Sequence, residues 1–248
     1  KSDADTLLAA KATNTALALK APIASPVFTG NVGVGTSSPQ ALLDLKGSTD
    51  SYASMAKIYL TDLNSNSASR NWSIGNGGSA YGNLTIGVSN AKNGDPQASG
   101  THINPLVITP EGYVTKPNQP AFRVCKDNGD TSSTGYIVWN APKINVGGHY
   151  STSTGKFTAP VAGNYYFAVR ALTASATQNN IWIGIKHNGN DVLQTYHSHI
   201  NHSFISGEAI ITMAVNDYVQ IYWGGTGMIH TGSTSHHRYT FFQGHLIG

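Results

Sequence analysis

Charge is scarce in this sequence: only 11% of its 248 residues are Asp, Glu, Lys or Arg, against ~25% in an ordinary soluble domain. The formal net charge is +3 and there is no basic cluster, so a nucleic-acid partner, which is held through many phosphate contacts, finds no support. Cysteine is scarcer still. The single Cys125 cannot close a disulfide within the chain, so we read it as a small buried hydrophobe on a strand. Long apolar runs are missing: no segment approaches the ~20 apolar residues of a membrane-spanning helix, and no signal-peptide pattern is present. The chain opens at Lys1 without Met, and we expect it to be a piece of something longer.

The constellations of an enzyme are also lacking. The twelve acidic residues are scattered, and in the C-terminal half Asp191, Glu208 and Asp217 form no pair that sequence can place across a glycosidic bond. Gly-x-Ser-x-Gly is absent, and no spacing couples a nucleophile to a base. Asp127-Asn-Gly-Asp130 reads as an Asn-Gly turn rather than a calcium loop. We expect no catalysis.

What the sequence does hold is alternation. Tyr165, Phe167 and Val169 alternate with Tyr166, Ala168 and Arg170, the period of a strand with one buried face. Pro160 and Gly163 bracket a tight turn before it. Ile181, Ile183 and Ile185 alternate with Trp182, Gly184 and Lys186, and this strand ends at the hairpin signal His187-Asn188-Gly189-Asn190. Val215-Asn216-Asp217-Tyr218 is a second turn, followed by Val219, Ile221 and Trp223 on one face. Short strands at this spacing, with 27 glycines and almost no helical periodicity, predict an antiparallel sandwich or jelly roll.

The run Trp139, Asn145, Tyr150, Phe157, Gly163, Tyr165, Phe167 resembles the signature of the complement C1q globular-head family, a relative of the tumour necrosis factor fold. The closing strand, Tyr239-Thr-Phe241-Phe-Gln-Gly244-His-Leu246, is similar too. Two positions depart from the pattern: Trp139 stands where Phe is usual, and Val169 where Phe or Tyr is expected. The resemblance covers roughly Pro117 to Gly248 and implies a homotrimer packed round a threefold axis by aromatic faces. Tyr165, Phe167, Trp182, Trp223, Tyr239 and Phe241 are the aromatics assigned to the core or to that interface.

A second resemblance lies upstream. Leu17-Ala-Leu-Lys-Ala-Pro-Ile-Ala-Ser-Pro-Val-Phe-Thr-Gly30, with Val32-Gly-Val-Gly-Thr36 and Leu42-Leu-Asp-Leu45 after it, resembles bacteriophage tail-fibre sequence. Pro105 to Phe122 is similar to the neck before a fibre's terminal domain. Leu7, Ala10, Asn14, Leu17 and Ala21 form a short heptad stripe, stopped by Pro22 and Pro26. Further on, Met55, Ile58 and Leu60 begin a strand, and Trp72 and Ile74 alternate with polar neighbours, as do Leu84, Ile86 and Val88. A long polar loop follows from Ser89 to Gly100. One copy of this region buries little apolar surface, so neighbouring chains are expected to complete its core.

The fold expectation is therefore all-β: a C-terminal C1q/TNF-like jelly-roll head over residues 117–248, a β-rich shaft over 31–116, and a short helical stalk end over 1–30, assembled as a homotrimer. Ten histidines would take the formal charge from +3 to +13 if all were protonated, so surface behaviour should depend on pH. His197 and His199 fall on one face if their segment is a strand. At a threefold axis they would present six imidazoles, and the resemblance to fibres with His-x-His repeats implies a transition-metal ion there. His230, His236, His237 and Arg238, in and beside the loop from Gly224 to Ser235, and Tyr196 are the candidate receptor contacts.

Together the two resemblances imply the distal part of a phage tail fibre, on the virion and outside the cell. Its head would adhere to a bacterial surface receptor, a glycan or outer-membrane component, and its other end would meet upstream fibre or baseplate proteins. A bacterial lectin-like surface adhesin, or a depolymerase of capsular polysaccharide, are the alternatives.

Overall fold

The computed structural model describes residues 28–48, 54–62, 64–127, 134–173, 178–225, 229–230 and 239–248. The heptad stripe and the stalk end therefore lie outside the described residues, apart from Phe28 to Gly30. The chain divides into two compact units between Thr115 and Lys116, within the stretch from Pro105 to Phe122, whose two ends belong to strands of different units.

In the first unit, β1 (Val32–Val34) and β2 (Leu43–Leu45) form a short parallel pair. An antiparallel meander follows in chain order: β3 (Lys57–Leu60), β4 (Trp72–Asn76), β5 (Leu84–Ser89), β6 (His102–Ile108) and β7 (Val114–Thr115). Its burial is the reverse of a normal sheet. Trp72 and Ile74 are each 41% exposed, whereas Ser73, Thr85 and Ser89 between and beside them are buried. The cause is the polar segment 90–101, which folds back over the Ser/Thr face and supplies the hydrogen bonds that buried hydroxyls need. Gln97 Nε2 donates to Ser73 Oγ at 2.6 Å, Asn71 Nδ2 to the Gly94 carbonyl at 2.8 Å, and Ser89 Oγ to the Ala91 carbonyl at 2.9 Å. Gly87 admits this approach, since a Cβ there would lie 2.6 Å from the Pro96 carbonyl oxygen.

The second unit is a sandwich of two antiparallel sheets. One has the order β10-β8-β17-β12-β15, built from β8 (Ala121–Cys125), β10 (Ala141–Val146), β12 (Gly163–Leu172), β15 (Phe204–Met213) and β17 (Phe241–Leu246). The other has the order β11-β16-β13-β14, from β11 (Phe157–Thr158), β13 (Gln178–His187), β14 (Asn190–Ile200) and β16 (Tyr218–Gly224), with β9 (Gly135–Tyr136) paired to β16. The all-β jelly-roll expectation holds.

The period-2 faces meet in the middle. Tyr165, Phe167 and Val169 of β12 face Ile181, Ile183 and Ile185 of β13 and Val219, Ile221 and Trp223 of β16, all essentially without accessible surface. Each such side chain contributes about 1.5–3 kcal/mol of apolar burial. Around them Phe122 stacks on Phe157 at 4.9 Å and on Tyr150 at 5.3 Å, and meets Phe242 edge-on at 4.8 Å.

Two signature residues and the hairpin pair have visible jobs. The Asn145 side chain clasps Tyr150 on both sides, donating to its carbonyl at 2.9 Å and accepting its N–H at 3.1 Å. Tyr165 Oη donates to the Val161 carbonyl at 2.8 Å, fixing the turn that enters β12. Asn188 and Gly189 take φ of 50° and 84°, the left-handed pair that a two-residue hairpin between β13 and β14 demands. Cys125 is buried on β8.

Candidate functional site

At one end of the sandwich, β12 ends at Leu172 and β15 begins at Phe204, so the chain must turn there. The 201–203 turn joins β14 to β15 with His202 at φ 42°, a conformation that asparagine, aspartate and histidine tolerate better than bulkier residues. Two buried threonines brace this end. Thr173 Oγ1 donates to the Ser203 carbonyl at 3.1 Å and accepts the Ser203 N–H at 3.0 Å. Thr240 Oγ1 accepts the Leu172 N–H at 3.1 Å and donates to the His230 carbonyl at 3.2 Å. The His230 N–H in turn donates to the Leu172 carbonyl at 2.8 Å.

This bracing holds open a pocket of about 320 Å³ lined by Leu172, His202, Phe204, His230 and Tyr239, at the lower end of small-molecule site volumes (~300–1,000 Å³). The His202 and His230 rings lie 5.9 Å apart, and Phe204 and Tyr239 6.1 Å apart. The Arg170 guanidinium sits 3.7 Å over the Phe204 ring. Leu172 and the aromatic faces supply apolar contact, while imidazole and phenol groups supply hydrogen bonds. The pocket thus offers apolar contact and hydrogen bonds side by side.

His230 and Tyr239 are thus brought together. His202 and Phe204 were missed as site residues, although Asn201-His202 is a turn signal between two strands and turns at a sandwich end gather at one site. His236, His237 and Arg238 lie outside the described residues. Tyr196 lies elsewhere, on the outward face of β14 and 62% exposed. There it stacks on Trp182 at 5.9 Å, and Trp182 stacks on Tyr222 at 5.0 Å. Trp182 lies across Gly224, where a Cβ would overlap the indole, and Lys186 Nζ lies 5.2 Å from the Tyr222 ring centre.

The remaining expected residues divide. Tyr165, Phe167 and Trp223 belong to the sandwich core and have no accessible surface. Phe241 is half-buried beneath the Arg123 guanidinium at 3.9 Å. His197 and His199 both belong to β14, paired with Ile181 and Asn179. Among the described residues of one chain, no three His, Cys, Asp or Glu side chains are grouped to hold a metal ion.

Comparison with known proteins bears on the second unit. Complement C1q tumor necrosis factor-related protein 3 of Mus musculus is 27% identical over 113 residues, which are 45% of this chain and 44% of that protein. Complement C1q tumor necrosis factor-related protein 2 of Mus musculus is 35% identical over 83 residues, 32% of this chain and 27% of that protein. The chain therefore spans less than half the length of these curated relatives. The solved globular domain of the zebrafish complement 1qA protein aligns with a TM-score of 0.42 at 22% identity, covering 52% of this chain and 98% of that one. Residues 121–247 match the C1q domain, which is the second unit from its first strand to its last, and the chain belongs to the C1q domain family.

Proposed function

We propose that this chain is the distal part of a bacteriophage tail fibre, and that its C-terminal head, as a homotrimer, adheres to a glycan on the bacterial surface. The C1q domain supports an adhesive head module. The strings from Leu17 to Gly30 and from Val32 to Thr36 support the fibre setting, because they resemble segments of tail fibres. Upstream fibre or baseplate proteins are then the partners at the other end, and the virion is the location.

The observation that carries the receptor reading is the pocket of Leu172, His202, Phe204, His230 and Tyr239, concave, aromatic and rich in hydrogen-bonding groups. Three heads per fibre and several fibres per virion let weak single pockets suffice through avidity.

The test is binding of fluorescently labelled protein to intact cells of candidate hosts, comparing the parent with His230→Ala/Tyr239→Ala. Since avidity multiplies single-site losses, the double variant is expected to lose binding at least tenfold while keeping its thermal transition. Unchanged binding rejects the pocket as the contact. Release of reducing sugar from host polysaccharide would instead favour a depolymerase. A chain absent from purified virions would reject the fibre setting.

A further inference from the structure

The exposed face of the five-stranded sheet in the first unit is apolar apart from Asn76, which pairs with Leu84 at its edge. Ile58 pairs with Ile74 and Leu60 with Trp72; Trp72 pairs with Val88 and Ile74 with Ile86; Val88 pairs with Ile103. Paired residues share a face, so one surface runs across four strands as a continuous patch. Ile58, Leu60, Trp72, Ile74, Leu84 and Ile103 all lie on it, each between 41% and 55% exposed. None of the residues on this face is charged. The ionisable residues of these strands, Lys57, Tyr59 and His102, line a groove on the opposite side with Asp95 and Gln97 of the covering segment.

The two sides are therefore unequal in what they still need. The buried hydroxyls of the polar side already have partners: Ser73 accepts from Gln97, Thr85 donates to the Gly75 carbonyl and Ser89 to the Ala91 carbonyl. The apolar side leaves on the order of 500 Å² of hydrocarbon open per chain, comparable with the ~800 Å² that each partner brings to a standard interface. A face with no charge has a further property. Identical surfaces can meet around a symmetry axis without placing like charges opposite one another, which costs a self-associating surface most.

We propose that this face is an interface between copies of the chain, in which the apolar faces of three first units pack against one another. The proposal rests on the trimer of the preceding reading. It makes the sheet a second assembly site, in which Trp72 and Ile74 form the centre of a core shared by three chains.

The experiment uses the full chain carrying Ile74→Cys, with Leu60→Cys as a second position on the same face and Ser99→Cys on the covering segment as control. The native thiol, Cys125, is buried, so the introduced cysteine is the one that reacts. Native mass is measured first, then reaction with a short bis-maleimide and resolution under denaturing conditions. The expected result is a trimer in which Ile74→Cys and Leu60→Cys give covalently joined chains and Ser99→Cys gives none.

A trimer in which the Ile74→Cys thiol labels freely without joining chains overturns the inference and leaves the trimeric head standing. A protected thiol that joins no chains also overturns it. A monomer overturns both. Joined chains in a protein that binds no host cell leave this interface intact and reject the receptor reading alone.

Discussion

Adding one methyl group to Gly244 should unsettle the head more than its size suggests. Gly244 sits in the middle of β17, paired with Phe122 on one side and Phe167 on the other. It lies on the core-facing side of the strand, in step with Phe242. A Cβ built there falls 2.6 Å from Phe167 Cδ1, 2.9 Å from Phe122 Cε1 and 2.8 Å from the Tyr166 carbonyl oxygen. The two phenyl rings close over the gap that the missing side chain leaves, with centroids 6.2 Å apart.

Glycine to alanine ordinarily stabilises by about 0.4–1 kcal/mol through the unfolded chain. Overpacking a filled core costs ~1–3 kcal/mol. Here two of the three obstacles are rings locked in the aromatic cluster and the third is backbone of the neighbouring strand, so the clash dominates. Gly244→Ala is expected to lose about 1–2 kcal/mol net, a fall in Tm on the order of 5 °C for a unit of this size.

The assay is equilibrium urea unfolding of the full chain at one fixed protomer concentration, followed by the near-ultraviolet signal of the buried Trp139 and Trp223. Trimming a ring in the same background (Phe122→Leu with Gly244→Ala) should cost less than the sum of the two single changes, because the removed atoms include the clashing Cε1. A Gly244→Ala protein as stable as the parent, or more stable, would refute the reasoning.

Two further outcomes follow from the ionisable groups. Asp217 accepts from the Asn188 side chain at 2.8 Å and the Ala214 N–H at 2.8 Å and pairs with His187 at 3.0 Å, and these hydrogen bonds, Asn188 first, hold its carboxyl below the ordinary carboxylate range. A depressed carboxyl contributes stability that is complete above its unfolded pKa and is lost as pH falls through the folded value. Protection of the Asn188 and Tyr218 amides, measured against their intrinsic exchange rates at each pH, should therefore fall on acidification below the ordinary carboxylate range, and Asp217→Asn should abolish that dependence; equal acid sensitivity in the variant would sink the assignment. Burial, the leading cause, pushes the Cys125 thiol up from its ordinary value, so its alkylation at neutral pH should be slower than in urea by ~10³-fold or more, as access through an unfolded state dictates; rapid labelling of the folded protein would contradict this.

The head was legible because its chemistry is local and periodic. Ile181, Ile183 and Ile185 announce a buried face by alternation alone, Asn188-Gly189 announces the hairpin by its left-handed backbone, and the Asn145 clasp on Tyr150 spans only five residues. The first unit was legible only as strands. Trp72 and Ile74 alternate with Ser73 and Gly75 as any half-buried strand does, and that pattern does not say which side is covered. The pocket was half legible: His230 and Tyr239 belong to the late segment whose histidines drew notice, but His202 and Phe204 come from another turn, some thirty residues earlier.

The sequence by itself therefore determined the class of the fold, the succession of strands along the head and the apolar face of each, since period-2 patterning and turn chemistry act between near neighbours. Tertiary structure alone decided three things: that Tyr165, Phe167 and Trp223 are spent inside the sandwich, that the polar face of the first sheet is buried beneath its own loop, and that four separated segments meet at one pocket. Each depends on which surfaces the folded chain brings together across long separations, and spacing along the chain carries no record of that.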